Sequence, residues 1–242
     1  MIINNDFIKN KKIDIIVQAR CGSTRLPNKI MKYLEDKIVL DHVVGRLKKS
    51  KYARNVIIST TDKQQDTIIF DHCQKNNIKC FRGSELNVLE RYYKTAVLYQ
   101  SDYVIRVTSD CPLVDVNYID LLIEKYFELE LKYLGPKYYG NHNFPDGFNG
   151  EVFSFKLLKE AYENAIDNEK EHVTTYIIKK YKTIEFNYPI DYESYKNINF
   201  SELHLSLDTK EDYELLKEIF HCVYLKKNNF QLEDVLYYLE NK

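Results

Sequence analysis

Three short runs of continuous apolar residues recur in the first half of the chain, with longer amphipathic stretches between them. This alternation limits the fold more than any other feature. The runs are "IDIIVQA" (13–19), "NVIIST" (55–60) and "DYVIRVT" (102–108). A strand that is apolar on both sides must be covered on both sides, as a parallel strand between two helical layers is. The stretches between them have helical spacing. "LDHVVGRLKKSK" puts Val43, Val44 and Leu47 on one side, and "VLERYYKTAVLYQ" does the same with Leu89, Tyr92, Tyr93 and Ala96. "DTIIFDHCQKNN" reads as the helix after the second strand, and "KCF" as a short extra strand. This order predicts an α/β domain with a parallel sheet.

After Glu130 the rhythm changes. Four of the seven glycines fall in "LGPKYYGNHNFPDGFNG", which reads as a loop or hairpin. "EVFSF", "TIEFNYP" and "LHLSLDT" then read as strands, and "KLLKEAYENAI", "EKEHVTTYIIKKY", "KEDYELLKEIF" and "QLEDVLYYLEN" as helices. Asp208 or Thr209 is expected to cap the helix that follows it, with Glu211 and Asp212 in its first turn.

Composition removes several function classes. With 44% hydrophobic and 29% charged residues, a packed core is expected. A net charge of −1 lacks the basic surplus of a nucleic-acid binder, so no nucleic-acid partner is expected. The five cysteines form no CxxC pair, which argues against a zinc site or a disulfide framework. Cys21 lies between Arg20 and Arg25; it reads either as a reactive thiol or, preferably, as a small side chain in a tight loop. The amino-terminal "MIINNDFIKNKK" has no apolar targeting region and no stretch spans a bilayer, so a cytoplasmic protein without membrane attachment is expected.

The chemistry concentrates at three points. "VQARCGSTRLPNK" (17–29) leaves an apolar strand, where α/β ligand sites form. It is not a Walker loop: Pro27 stands where the second glycine belongs, and Ile30 rather than Ser or Thr follows Lys29. It nevertheless gathers Arg20, Arg25 and Lys29 with the hydroxyls of Ser23 and Thr24 around Gly22, a donor set suited to a phosphate. A solvated polar turn fits the same composition. In "VTSDCPLVD", Asp110 sits just past a strand, as magnesium carboxylates often do, while Asp115 reads as a helix cap. In "LSLDTKED", Asp208 is a cap if alone and a second metal carboxylate if it meets Asp110 in space.

Taken in order, "IIVQARCGSTRLPNKIM", "ISTTDKQQD", "FRGSELNVLERYY", "VIRVTSDCPLVD", "PDGFNGEVFSF", "EHVTTYI" and "LSLDTKEDYELL" resemble the spore-coat polysaccharide biosynthesis protein F group. That group belongs with the cytidylyltransferases that activate acylneuraminate and 3-deoxy-manno-octulosonate. The resemblance spans roughly residues 12–220. It implies a Rossmann-like nucleotide-diphospho-sugar transferase fold, with a mixed, mostly parallel central sheet flanked by helices and a small β-arm. It reads 1–242 as one nucleotidyltransferase domain, with 131–155 as an arm serving the acceptor and a homodimer contact.

The implied activity is transfer of CMP from CTP to a sugar acid or a phosphate- or phosphonate-bearing acceptor. By the same resemblance Arg20, Lys29, Asp110 and Asp208 are catalytic. Ala19, Arg20, Gly22, Ser23, Arg25, Lys29, Thr60, Thr61, Asp62, Arg82 and Ser109 bind the nucleotide, with Gly83 and Ser84 close by. Asp146, Asn149, Glu151, Glu171 and His172 shape the acceptor side. Asp110 and Asp208 hold Mg²⁺, or Mn²⁺ in its place. A metal-dependent glycosyltransferase with a nucleotide-sugar donor, and a non-catalytic nucleotide binder, are the rival readings.

Overall fold

The computed structural model describes residues 5–135, 146–148, 150–181, 184–186, 190–200 and 202–242. In chain order, α1 (Asn5–Lys9) leads into β1 (Ile13–Gln18). A small antiparallel ribbon of β2 (Tyr33–Leu34) and β3 (Lys37–Ile38) precedes α2 (Val39–Leu47) and β4 (Asn55–Thr61). Next come α3 (Thr67–Lys75), β5 (Lys79–Gly83), α4 (Val88–Tyr99) and β6 (Tyr103–Thr108). They are followed by α5 (Val116–Glu128), β7 (Tyr133–Gly135), β8 (Glu151–Ser154), α6 (Phe155–Asn164) and α7 (Thr175–Lys180). β9 (Ile184–Glu185), α8 (Lys210–Ile219) and α9 (Leu232–Glu240) complete the order.

The central sheet among the described residues runs β5-β4-β1-β6-β8-β7-β9. The first four strands are parallel, and β8 runs antiparallel to both β6 and β7. The three apolar runs become β1, β4 and β6; β1 and β4 are almost wholly buried, and β6 is buried at Val104, Ile105 and Val107. Alternate residues enter two different cores. Ile15, Val17, Ile105 and Val107 join Leu40, Val43, Tyr118 and Leu122 on one side. Ile16 and Val104 join Leu89, Tyr92, Leu158 and Ile177 on the other. A period of two thus feeds two helical layers, and the side that holds Ile16 and Val104 also carries Asp14, Gln18, Ser59 and Arg106.

This topology fixes the position of the cleft. The chain moves outward from β1 to β4 and β5, then returns to the other side of β1 as β6. The connections after β1 and β6 therefore diverge, leaving a crevice at the carboxyl ends of the two strands.

Two expectations need correction. "LHLSLDT" forms no strand: only an isolated bridge joins Asp146 to His204. Its apolar residues are satisfied differently, since Leu205 and Leu207 are fully buried while the segment crosses the end of β6. In "EKEHVTTYIIKKY", a 3-10 turn at Asp167–Glu169 precedes the shorter α7, so Glu171 and His172 lie in a connection rather than on a helix. Most of the expected arm, 136–145 and Asn149, lies outside the described residues.

Candidate active site

The loop after β1 is held by its own backbone. Ala19 N–H donates to Ser59 O at 3.1 Å, Ser23 N–H to Cys21 O at 2.8 Å, and Leu26 N–H to Ser23 Oγ at 3.2 Å. Asn28 takes the left-handed conformation, φ 56°, and turns the chain into the 3-10 turn that starts at Lys29. Asparagine tolerates this geometry better than most residues.

Lys29 then points inward, with only 11% of its side chain exposed. Its Nζ donates to Asp110 Oδ2 at 2.7 Å and to Asp208 Oδ1 at 2.8 Å. Arg25 reaches Asp208 Oδ1 at 3.1 Å from a more exposed position. Burial alone would lower the Lys29 pKa, but the two carboxylates outweigh it and raise it. Burial would likewise raise that of Asp208, but Lys29 and Arg25 hold it down. The two acids, 98 positions apart in the chain, meet because Leu207 N–H donates to Asp110 O at 2.7 Å. Thr209, not Asp208, caps α8 through Asp212 N–H, which leaves the Asp208 carboxylate free to face Lys29. Asp115 caps α5, as its sequence position suggests.

These groups line a cleft of about 290 Å³. Of the expected nucleotide residues, Ala19, Arg20, Gly22, Ser23, Arg25, Lys29 and Ser109 face it, together with Asp110 and Asp208. Glu171 and His172 form part of the same wall. Thr60, Thr61, Asp62 and Arg82 are not among its lining residues. Thr61 donates its hydroxyl to Asp66, whose other oxygen accepts Cys21 N–H at 2.6 Å, so this group supports the loop from behind. Arg82 spends its donors on the carbonyls of Thr61 and Lys63. Glu151 is 1% exposed and accepts from Arg106, Tyr133 and Thr174. Asp146 accepts from Ser206 Oγ at 2.8 Å. Cys21 is buried beside Asp66, and burial with that acid pushes its thiol up to about 12. The inert reading of this cysteine therefore holds.

Sequence reasoning missed Gln18, Val88, Arg91 and Thr108 as lining residues. Arg91 is 2% exposed and donates to Ser84 O at 2.5 Å, yet its Nε meets no partner among the described residues. Burial, with Arg20 nearby, holds its pKa below the usual arginine range. Gln18 Oε1 is similarly without a partner. The signal for Arg91 was present: it interrupts the stripe of Val88, Tyr92, Thr95 and Ala96 on the inner face of α4. A larger hollow of about 940 Å³ lies at the opposite end of β6, near Phe7, Tyr103 and Tyr126, remote from this convergence.

Among the described residues no group of three acidic, histidine or cysteine side chains is placed to hold a metal. Two carboxylate oxygens that converge on one point nevertheless fit Mg²⁺, which commonly takes one or two carboxylates and completes its shell with substrate phosphate and water.

A mostly parallel sheet with a basic loop at its switch point, facing Asp110 just past β6 and Asp208 from the segment that crosses the end of that strand, is the frame of a nucleotidyltransferase. More narrowly, the chain belongs to the Cytidylyltransferase family, whose model matches residues 15–241. It is 35% identical over 216 residues to the spore coat polysaccharide biosynthesis protein SpsF of Bacillus subtilis, covering 85% of each chain. It is 36% identical over 211 residues to an uncharacterized protein of Methanocaldococcus jannaschii, covering 86% of this chain and 83% of that one. The structure of a cytidylyltransferase from Leptospira borgpetersenii is 31% identical and superposes with a TM-score of 0.84, over 96% of this chain and 95% of that one.

Proposed function

We propose that this enzyme transfers CMP from CTP to a small anionic acceptor, a sugar acid or a phosphate- or phosphonate-bearing molecule, and releases pyrophosphate. The product is an activated precursor for surface polysaccharide or glycoconjugate synthesis in the cytoplasm. The observation that carries this reading is the meeting of Lys29 and Arg25 with Asp110 and Asp208 at the β1–β6 crevice.

An acceptor oxygen attacks the α-phosphorus of CTP. A new P–O bond forms as the bond to the bridging oxygen of the β-phosphate breaks, and pyrophosphate departs with that electron pair. Arg20, Arg25 and Lys29 neutralise the β- and γ-phosphates, with Ser23 and the backbone near Gly22 as further donors. Arg91 from α4 and Gln18 from the end of β1 offer their unpaired polar atoms to the nucleotide. Glu171 and His172 face the acceptor across the same space. Glu151 acts indirectly, holding Thr174 and thereby the connection that carries Glu171 and His172. Asp110 and Asp208 are the residues that would hold Mg²⁺ or Mn²⁺, which would supply charge neutralisation at the reacting phosphate. An acceptor phosphate is already ionised and asks for no general base; a hydroxyl would draw on one. Residues 1–242 act as one domain, working as a homodimer through the 131–155 region.

The test is a thermal-shift screen followed by pyrophosphate release. The expected result is stabilisation by CTP with Mg²⁺, and release only when a sugar acid, phosphosugar or phosphonate is added. Stabilisation by UDP- or GDP-sugars and not by CTP would overturn the reading in favour of a glycosyltransferase.

A further inference from the structure

We infer that Lys29 serves as a resident cation for the Asp110–Asp208 pair, so that the divalent ion enters only together with the nucleotide. The inference rests on the preceding assignment of these two acids to the metal.

One atom carries the observation. Lys29 Nζ stands between Asp110 Oδ2 at 2.7 Å and Asp208 Oδ1 at 2.8 Å. Both carboxylates stay partly exposed, at 27% and 35% of their side chains, whereas the lysine is nearly covered. Mg²⁺ takes its oxygens at about 2.0–2.1 Å, so each carboxylate would need to close by only about 0.7 Å to grip an ion at that point. A metal ion and an ammonium cannot both occupy it, and their like charges oppose any close approach.

Lys29 therefore needs another anion before it can leave. The remaining groups of the loop indicate where that anion lies. Arg20, Ser23 and Lys29 line one cleft, and swinging the lysine toward Arg20 puts its charge on a phosphate held there. Arg25 cannot replace Lys29, because it touches only Asp208 Oδ1 and sits largely in solvent. A triphosphate thus draws the lysine away from the acids at the same moment that it brings oxygens to complete the metal shell. Nucleotide and metal then favour one another, and by linkage the effect is equal in both directions.

The consequence is an order of assembly. Free protein resists divalent ions, and metal-free nucleotide binds weakly because the acids it would face lose their counter-ion. The competent complex forms from the nucleotide–metal pair.

Mn²⁺ binding followed by electron paramagnetic resonance tests this, with α,β-methylene-CTP as a nucleotide that cannot react. For the wild-type protein, Mn²⁺ affinity is expected to be at least about 10-fold higher with saturating analogue than without it. In Lys29→Met, the protein alone is expected to bind Mn²⁺ about 10-fold more tightly than wild type, and Mn²⁺ alone should raise its melting temperature. Lys29→Arg, which keeps a cation, should retain the nucleotide dependence. Asp208→Asn should lose Mn²⁺ in the presence of the analogue.

The outcomes separate the two ideas. Equal Mn²⁺ affinity of the wild type with and without analogue overturns the resident-cation role, whatever the variants do. Equal behaviour of Lys29→Met and wild type, with Asp208→Asn defective, also overturns that role but leaves the metal assignment standing. Wild-type Mn²⁺ binding by Asp208→Asn overturns the metal assignment and the inference with it.

Discussion

Leu207 donates its backbone N–H to the carbonyl of Asp110 at 2.7 Å, and this bond joins the two acidic segments independently of either carboxylate. Thr209 caps α8 without help from the Asp208 side chain. Asp208→Ala should therefore keep the fold while losing the acid. CMP transfer is expected to fall by at least about 100-fold, on the scale of several kcal/mol of lost charge stabilisation. Circular dichroism and a pyrophosphate assay on the same sample check this; full activity would remove Asp208 from the reaction.

Arg91 gives the opposite pattern for stability. A buried guanidinium with an unpartnered Nε is costly in the free protein. Arg91→Met is expected to leave urea stability equal or higher, while CTP binding weakens by about 1.5–3 kcal/mol, the range for a hydrogen bond to a charged group. Isothermal titration of CTP together with a urea melt reads both quantities. Unchanged CTP affinity would mean that Arg91 belongs only to the core.

Glu151 distinguishes support from contact. Its Oε2 accepts from Arg106 at 2.6 Å, and its Oε1 from Tyr133 and Thr174. Glu151→Ala leaves the Arg106 guanidinium without this carboxylate in a covered site, and should destabilise the protein by about 3–5 kcal/mol. A direct acceptor contact would instead raise the acceptor KM with stability unchanged, so chemical denaturation and kinetics tell the two roles apart.

Cys21 sets a pH dependence. Burial, with Asp66 beside it, raises its thiol pKa from 9.0 to about 12. The folded state then holds a proton that the unfolded state releases above pH 9. The contribution of this group to stability is complete below pH 9 and declines as pH rises toward 12. Folded protein at pH 8 should leave Cys21 unalkylated by iodoacetamide, and denaturant should expose it; mass spectrometry of the tryptic peptide reports the outcome. Rapid labelling of the native protein would contradict its buried position.

Much of the frame was legible because strand burial has a simple signature. β1, β4 and β6 each carry a short apolar run, and the intervening helices show their stripes, so the parallel half of the sheet followed directly. The basic loop and Asp110 stood out because both follow such strands. Asp208 was harder: its meeting with Asp110 depends on Leu207 crossing the end of β6, a long-range contact that spacing does not encode. The same crossing buries Leu205 and Leu207 without a ladder, which is why an alternating segment imitated a strand. Arg91 was legible as the charge that interrupts the stripe of α4, whereas the bond of Thr61 to Asp66 and those of Arg82 to the Thr61 and Lys63 carbonyls are tertiary details that spacing does not encode.

Asn28 holds a left-handed turn directly ahead of Lys29, after the ring of Pro27. Glycine would reach that turn with less strain but would leave the loop many more conformations to abandon. With Pro27 and Asn28 in place, and with the hydrogen bonds from Ser23 and Leu26, much of the ordering of this loop is completed during folding. In the function proposed above, the nucleotide would then meet a preformed loop, and little of its binding energy would be spent on stilling the chain that receives it.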